Sequence, residues 1–225
     1  MYKLFSFFEF RFFNDKILVV MTFATWELFL KELERNIHPK KEEIKDKYLF
    51  LLENEICDED TFEKLISIRY MAAYEQALNE YLHPPFEWEQ SNIKSEIFHF
   101  GTLAEALLEM FIHELVKRRK LSLVEIKKHA KKYPDDQHLT FSQLIGIIKD
   151  FKNKMLLISS NKDDVKYLGE LVVVLNALRI ERNKIHLNQI LPTKDGEAFH
   201  EEFRLMNIRN HISDLPKRFM NLLEI

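Results

Sequence analysis

Between Leu175 and Asn188 the chain reads LNALRIERNKIHLN, and Arg179, Arg182, Asn183 and His186 within it have the types and spacing to do chemistry together. On a helix Arg182 and His186 are neighbours at i and i+4, Asn183 and His186 at i and i+3, and Arg179 lies two turns before the histidine. An imidazole titrates near pH 6.5 and can take or give a proton at neutral pH. Guanidinium groups stay charged and grip phosphate oxygens in a bidentate fork. That pairing suits phosphate-ester chemistry without a metal. In RNA the 2′-hydroxyl would attack the adjacent phosphorus, with histidine contributing about 10²–10⁴-fold as acid or base. Arginine would stabilise the charge that develops on phosphorus.

The element that must position these groups is an apolar helix. Leu168, Leu171, Val172, Leu175 and Leu178 repeat at three and four residues, the period of one buried helix face. Arg182 falls seven residues after Leu175, where that seam calls for another apolar side chain, and Arg179 and His186 share the column of Val172. The same pattern fits a buried polar network that caps the helix end, with arginines on terminal carbonyls where the helix dipole favours cations.

The 225 residues are enough to bury roughly 70% of the unfolded surface. With 4 Gly, 6 Pro and much Leu, Ile, Lys and Glu, the chain favours long helices and few tight turns, so the expected fold class is all-α. A single cysteine, Cys57, permits no intramolecular disulfide and points to a reducing cytoplasm; it fits burial rather than reactivity. Glu9, Arg11, Asp15 and Lys16 interrupt the Phe-rich first twenty residues well short of the ~20 apolar residues a membrane helix needs. No membrane partner is expected. Net charge is −3, but residues 21–110 hold 19 acidic and 9 basic side chains, net −10, against 15 and 21 in residues 111–225, net +6. The second half therefore carries the positive field.

Three regions follow. Residues 1–20 are either a translated leader before a natural start at Met21 or, with Met1 as the start, a short strand or hydrophobic arm. Residues 21–91 form an N-terminal helical region: a stripe of Trp26, Phe29, Leu30, Leu33 and Ile37, then a helix from Lys41 to Ile56 with Tyr48, Leu49, Leu52 and Ile56 inward. A third helix there opens at a capping box, Asp60-Thr-Phe-Glu63, and stops before Pro84-Pro85. Residues 92–225 form a helical bundle. Its first helix carries a seam of Ile97, Gly101, Ala104, Leu108, Phe111 and Leu115, where Gly101 and Ala104 admit a close neighbour. Ser122-Leu-Val-Glu125 and Thr140-Phe-Ser-Gln143 fit the capping-box pattern and start helices near Leu123 and Phe141. The last helix, from about Ala198, meets Pro216, which should kink or restart it.

Residues 92–225 resemble the HEPN domains, helical bundles marked by an arginine, four to six residues, then a histidine, at the end of an apolar helix before the last one. Arg179-Ile-Glu-Arg-Asn-Lys-Ile-His186 meets the spacing with six intervening residues, while the family's Asn after the arginine sits on Arg182-Asn183, three before His186. The resemblance implies a metal-independent endoribonuclease, acting as a toxin or in antiviral defence, with no cofactor. His186, Arg182, Asn183 and Arg179 would be its catalytic residues and RNA its substrate. It also implies a homodimer that brings two Arg/His sets together, with the seams around Gly101 and Leu175 as natural interfaces, and admits an antitoxin or other regulatory protein as partner. Family members that have lost catalysis make a non-catalytic module, binding a nucleotide, RNA or protein, the alternative. Asn188 stands where some members carry a modifiable tyrosine two residues after the histidine, which argues against that form of regulation. Arg204 and His211 repeat the spacing, and Arg209-Asn210-His211 repeats the Arg-Asn pair, but inside the final helix rather than at the end of an apolar one.

Lys117-Arg118-Arg119-Lys120, then Lys127, Lys128, Lys131 and Lys132, form the densest basic segment, and Lys184 adds a charge beside the cluster. These could contact RNA phosphates, but a solvated helix face is the reading preferred for them. His99, Glu105, Glu109 and His113 do not make a continuous ligand set and no HExxH motif is present, so no metal is expected. Ser122 and Ser142 read as caps rather than nucleophiles.

Overall fold

The computed structural model describes residues 41–82, 86–133, 138–158, 162–186 and 208–224, with Leu28, Lys31 and Arg35 as isolated helical positions. Residues 78–82, 86–90, 92, 158, 184–186 and 208 are described by their backbone alone. The stretch 1–20, the apolar stripe from Trp26 to Ile37, the Pro84-Pro85 pair, the connection 189–197, Arg204 and Asn188 lie outside the described residues.

Among the described residues the fold is all-α. Its elements are α1 (41–48), α2 (Phe50–Glu53), α3 (Glu59–Leu82), α4 (Phe86–Lys117), α5 (Leu123–Lys127), α6 (Phe141–Ile158), α7 (Lys162–His186) and α8 (Ile208–Leu223). With 32 residues, α4 is about 48 Å long at 1.5 Å per residue, and α3, α6, α7 and α8 all pack on it. It starts at Phe86, so the polar residues up to Asn92 are its first turns rather than a connection. One apolar cluster runs from Ile44 to Leu223. Phe111 shows how α4 joins its neighbours: its ring stacks on Phe219 of α8 at 4.0 Å and meets Phe151 of α6 edge-on at 6.1 Å.

Local chemistry sets the starts of α3, α5 and α6. Ser122 and Glu125 close a capping box that opens α5. Thr140 and Gln143 do the same for α6, through Thr140 N–H to Gln143 Oε1 at 2.8 Å and Gln143 N–H to Thr140 Oγ1 at 3.4 Å. Thr140, not Ser142, is the cap there. For α3 the cap lies two residues earlier than the Asp60 box suggests: Asp58 Oδ1 accepts the Thr61 N–H at 2.7 Å. Hydrogen bonds from the Thr61 side chain and then from its backbone N–H stabilise the ionised carboxylate and hold the Asp58 pKa below the ordinary value. A turn at Leu49 ends α1 and leaves that side chain 42% exposed, so Ile44, Tyr48 and Leu51 face inward instead of Leu49. Cys57 is half-buried, and burial pushes its thiol up, away from the reactive thiolate. Pro216 is buried inside α8, which continues across it rather than restarting.

The end of α4 explains part of the basic segment. Lys120 N–H reaches Leu115 O at 2.8 Å and Arg119 N–H reaches Val116 O at 2.9 Å, a Schellman closure with Arg119 at φ 59°. An L-residue other than glycine is strained there. Replacing exposed Arg119 by glycine is therefore expected to raise stability by about 0.5–1 kcal/mol, read as a higher urea midpoint at unchanged m-value. Arg118 Nη1 donates to Leu223 O at 3.2 Å and Lys120 Nζ to Leu222 O at 3.1 Å, so two of the four cations cap the C-terminal end of α8. Glu114, buried beside them, takes Lys117 at 3.1 Å and Arg118 at 3.2 Å.

Candidate functional site

Helix α7 runs without a break to His186 as its last residue. The apolar face read from the sequence is the buried one: Leu168, Leu171, Leu175 and Leu178 are fully enclosed. Arg179, Arg182, Asn183 and His186 thus occupy the last two turns of a helix anchored at its other end in the core. Asn183 is exposed. The side chains of Lys184 and His186 lie outside the described residues.

Arg182 continues the buried seam and is accommodated by three features of its neighbours. Gly101 on α4 leaves the room: a Cβ there would meet Arg182 Cδ at 2.9 Å. The guanidinium lies 5.5 Å from the Phe98 ring and 6.0 Å from the Phe141 ring, within the range where an aromatic face attracts a cation. Its Nη1 donates to Glu105 Oε2, one turn beyond Gly101 on α4. The Arg182 side chain is left 19% exposed and that of Glu105 24%. The close approach that Gly101 permits is therefore to a long polar side chain.

Among the described residues the Nε–H groups of Arg179 and Arg182 are buried without an acceptor, as are Tyr48 Oη and Arg69 Nη1 elsewhere in the core. Each such group loses about 1–3 kcal/mol of hydration unless something accepts its proton, so among the described residues the end of α7 is two acceptors short.

The seams expected to meet a second copy are filled within the chain. Leu175 is fully buried and Gly101 is covered by Arg182. On the outer side of α7, by contrast, Val173 is 66% and Ile180 46% exposed, two turns apart.

The described part of the second Arg/His set lies on α8, and its side chains turn to different helices. Arg209 makes a bidentate pair with Glu96 of α4, at 2.5 Å and 2.6 Å, in which Glu96 is completely enclosed. His211 instead stacks on Tyr167 of α7 at 6.0 Å, with its Nε2 3.5 Å from Glu170. Around the Arg209 pair gather Arg69, which donates to Ser213 at 3.0 Å, and Glu75, which takes Ser95 at 2.5 Å and His99 at 3.0 Å. Burial outweighs the Arg209 bonds at Glu96 and holds its pKa above the ordinary carboxylate value.

The residues weighed for a metal take separate partners. His99 goes to Glu75, Glu105 to Arg182, His113 Nδ1 lies 3.2 Å from Tyr133 Oη, and Glu109 accepts the Leu139 N–H at 3.3 Å. Sequence reasoning missed Glu105, Phe98 and Phe141 as the surroundings of Arg182. The available signal was the hole that Gly101 leaves in the α4 seam, followed one turn later by an acid. No helix among the described residues is long and apolar enough to cross a membrane. No protein-family model, curated protein or solved structure matches the chain.

Proposed function

We propose that this protein is a HEPN-like, metal-independent endoribonuclease of the cytoplasm, in the manner of a toxin or antiviral-defence effector, with its site at the end of α7. The observation that supports the reading is the pair of buried arginine Nε–H groups that find no acceptor among the described residues, in the same two turns as Asn183 and His186. A phosphodiester supplies acceptors of the charge and geometry that guanidinium donors fit.

In the proposed reaction His186 takes the proton from the ribose 2′-hydroxyl as its oxygen bonds to phosphorus. The bond from phosphorus to the 5′-oxygen breaks, and that oxygen gains a proton. The products are a 2′,3′-cyclic phosphate and a 5′-hydroxyl. Arg179 and Arg182 neutralise the charge that builds on the phosphoryl oxygens, and Asn183 orients the strand. A homodimer would bring two such sites together, and the exposed Val173 and Ile180 of α7 are where a second copy would pair.

The test is incubation of the purified chain with total RNA in EDTA, reading degradation and end groups. Cleavage leaving 2′,3′-cyclic phosphate supports the reading. The bond from Arg182 to Glu105 favours the second reading, a non-catalytic module that binds a nucleotide, RNA or protein, because a carboxylate already occupies one arm of the fork. Intact RNA together with saturable binding lost in Arg182→Ala would select it.

Gly101 gives a sharper probe of the arginine. Alanine in place of a helix-interior glycine normally adds about 1 kcal/mol of stability, but here the new methyl would collide with Arg182 Cδ. Arg182 is held at its Cα by α7 and at Nη1 by Glu105, so the shift must displace the guanidinium. Gly101→Ala is expected to fold with stability within about 1 kcal/mol of wild type and to cleave RNA roughly 10- to 100-fold more slowly. Unchanged cleavage would show that the position of Arg182 is not used.

A further inference from the structure

The dense basic segment divides into two parts with different work. Arg118 and Lys120 close the end of α8, and Lys117 is tied to Glu114. Lys127, Lys128, Lys131 and Lys132 are all exposed, and among the described residues none of them makes an ion pair.

These four lysines ride on a stretch that is firmly fastened beneath them. Ile126, Ala130 and Tyr133 are buried. His129, in the middle, places Nε2 3.0 Å from Asp150 of α6, and its ring lies against Gly146, where an added Cβ would come within 2.6 Å of Nδ1. The carbonyl of His129 accepts from Gln143 Nε2 at 3.2 Å. The stretch therefore runs along α6 towards its first turn. That turn also carries Phe141, whose ring lies 6.0 Å from the Arg182 guanidinium. The stretch that carries the lysines thus passes from the middle of α6, at Asp150 and Gly146, towards the first turn beside which Arg182 lies.

We propose that Lys127, Lys128, Lys131 and Lys132 form a docking track for the phosphate backbone of the RNA strand, extending from the scissile phosphate at the end of α7 past the first turn of α6. This rests on the ribonuclease reading of the α7 site and adds where the rest of the substrate lies. A single-stranded RNA that reaches both places exchanges condensed counterions for lysines, so affinity depends on salt with a slope near 0.7 per phosphate contacted. A backbone held in place beforehand lowers the ordering cost of each contact.

The experiment uses the full chain and a fluorescent 20-nucleotide RNA with 2′-O-methyl groups, which cannot undergo 2′-hydroxyl attack, titrated by anisotropy at several salt concentrations. The variant carries Lys127→Ala, Lys128→Ala, Lys131→Ala and Lys132→Ala. Its control carries the same charge loss at the exposed Lys47, Lys64, Lys166 and Lys217. Expected are at least tenfold weaker binding for the track variant near physiological salt and a salt slope smaller by about 2–3, with the control close to wild type. Equal losses in both variants, no effect of the track variant, or no binding of this RNA by the wild type would each overturn the track. So would lysine-dependent binding to phosphatidylserine-containing vesicles that this RNA does not compete away. Cleavage of unmodified RNA is scored separately: its absence with lysine-dependent binding intact would count against the ribonuclease reading and leave the track standing.

Discussion

Arg209→Met is expected to lower stability by about 3–5 kcal/mol at pH 7.5, the usual consequence of leaving one member of a buried ion pair alone. Glu96 is fully enclosed, and both its oxygens take Arg209. Without the guanidinium its nearest charges are Arg69, which favours its ionised form, and Glu75, which opposes it. The loss should depend on pH with a definite sign. Burial already raises the folded-state pKa of Glu96, and removing Arg209 takes away the two largest contributions that lower it. A carboxyl whose folded pKa lies above its unfolded value is penalised when ionised. The variant should therefore regain stability as pH falls through that folded pKa towards the unfolded value. Urea unfolding at pH 7.5 and pH 5 checks this, and a smaller difference from wild type at pH 5 is the expected result. Adding Glu96→Leu should restore about half or more of the loss at pH 7.5, since an apolar pair of similar volume can replace a buried ion pair. No recovery would mean that the packing of the Arg209 stem, rather than its charge, carries the effect.

That pair also marks the boundary of what the chain discloses locally. Periodicity and caps depend on residues three or four apart, and there the reading is sound: Ser122 and Thr140 open α5 and α6, and the Leu168 to Leu178 face of α7 is the buried one. The departures are of two kinds. Asp58 took the cap of α3 from Asp60 because either acid precedes the apolar run and only the backbone path selects between them. Glu96 with Arg209 and Glu105 with Arg182 are separated by 113 and 77 residues, and nothing in the local pattern names a partner at that range. A glutamate on an apolar seam announces that a cation must exist somewhere, but not which one. For the candidate site, the helical spacing of Arg179, Arg182, Asn183 and His186 was legible, whereas the carboxylate and aromatic rings that hold Arg182 were not. The basic segment was legible as charge only. Its division between a helix cap and an exposed track needed the docking of α8 against the end of α4.

His186→Ala is expected to slow RNA cleavage in EDTA by about 10²–10⁴-fold, the range removed with a general acid or base. His186 is the last residue of α7, four beyond Arg182 and three beyond Asn183, so the substitution falls at a helix end rather than within the Leu168 to Leu178 seam. A change in Tm of a few degrees would correspond to about 1 kcal/mol in a chain of this size, too little to explain such a fall. Two readouts separate chemistry from folding. The wild-type rate should change between pH 5 and 8, where an imidazole alters its charge, and the variant should lose that dependence. Added imidazole should restore part of the variant's rate, and the restored product should again end in 2′,3′-cyclic phosphate. If instead His186→Ala cleaves RNA at the wild-type rate, the imidazole has no place in the reaction. The two arginines, whose Nε–H groups find no acceptor among the described residues, would then remain, and the balance would move to a module that holds RNA or a nucleotide without cutting it.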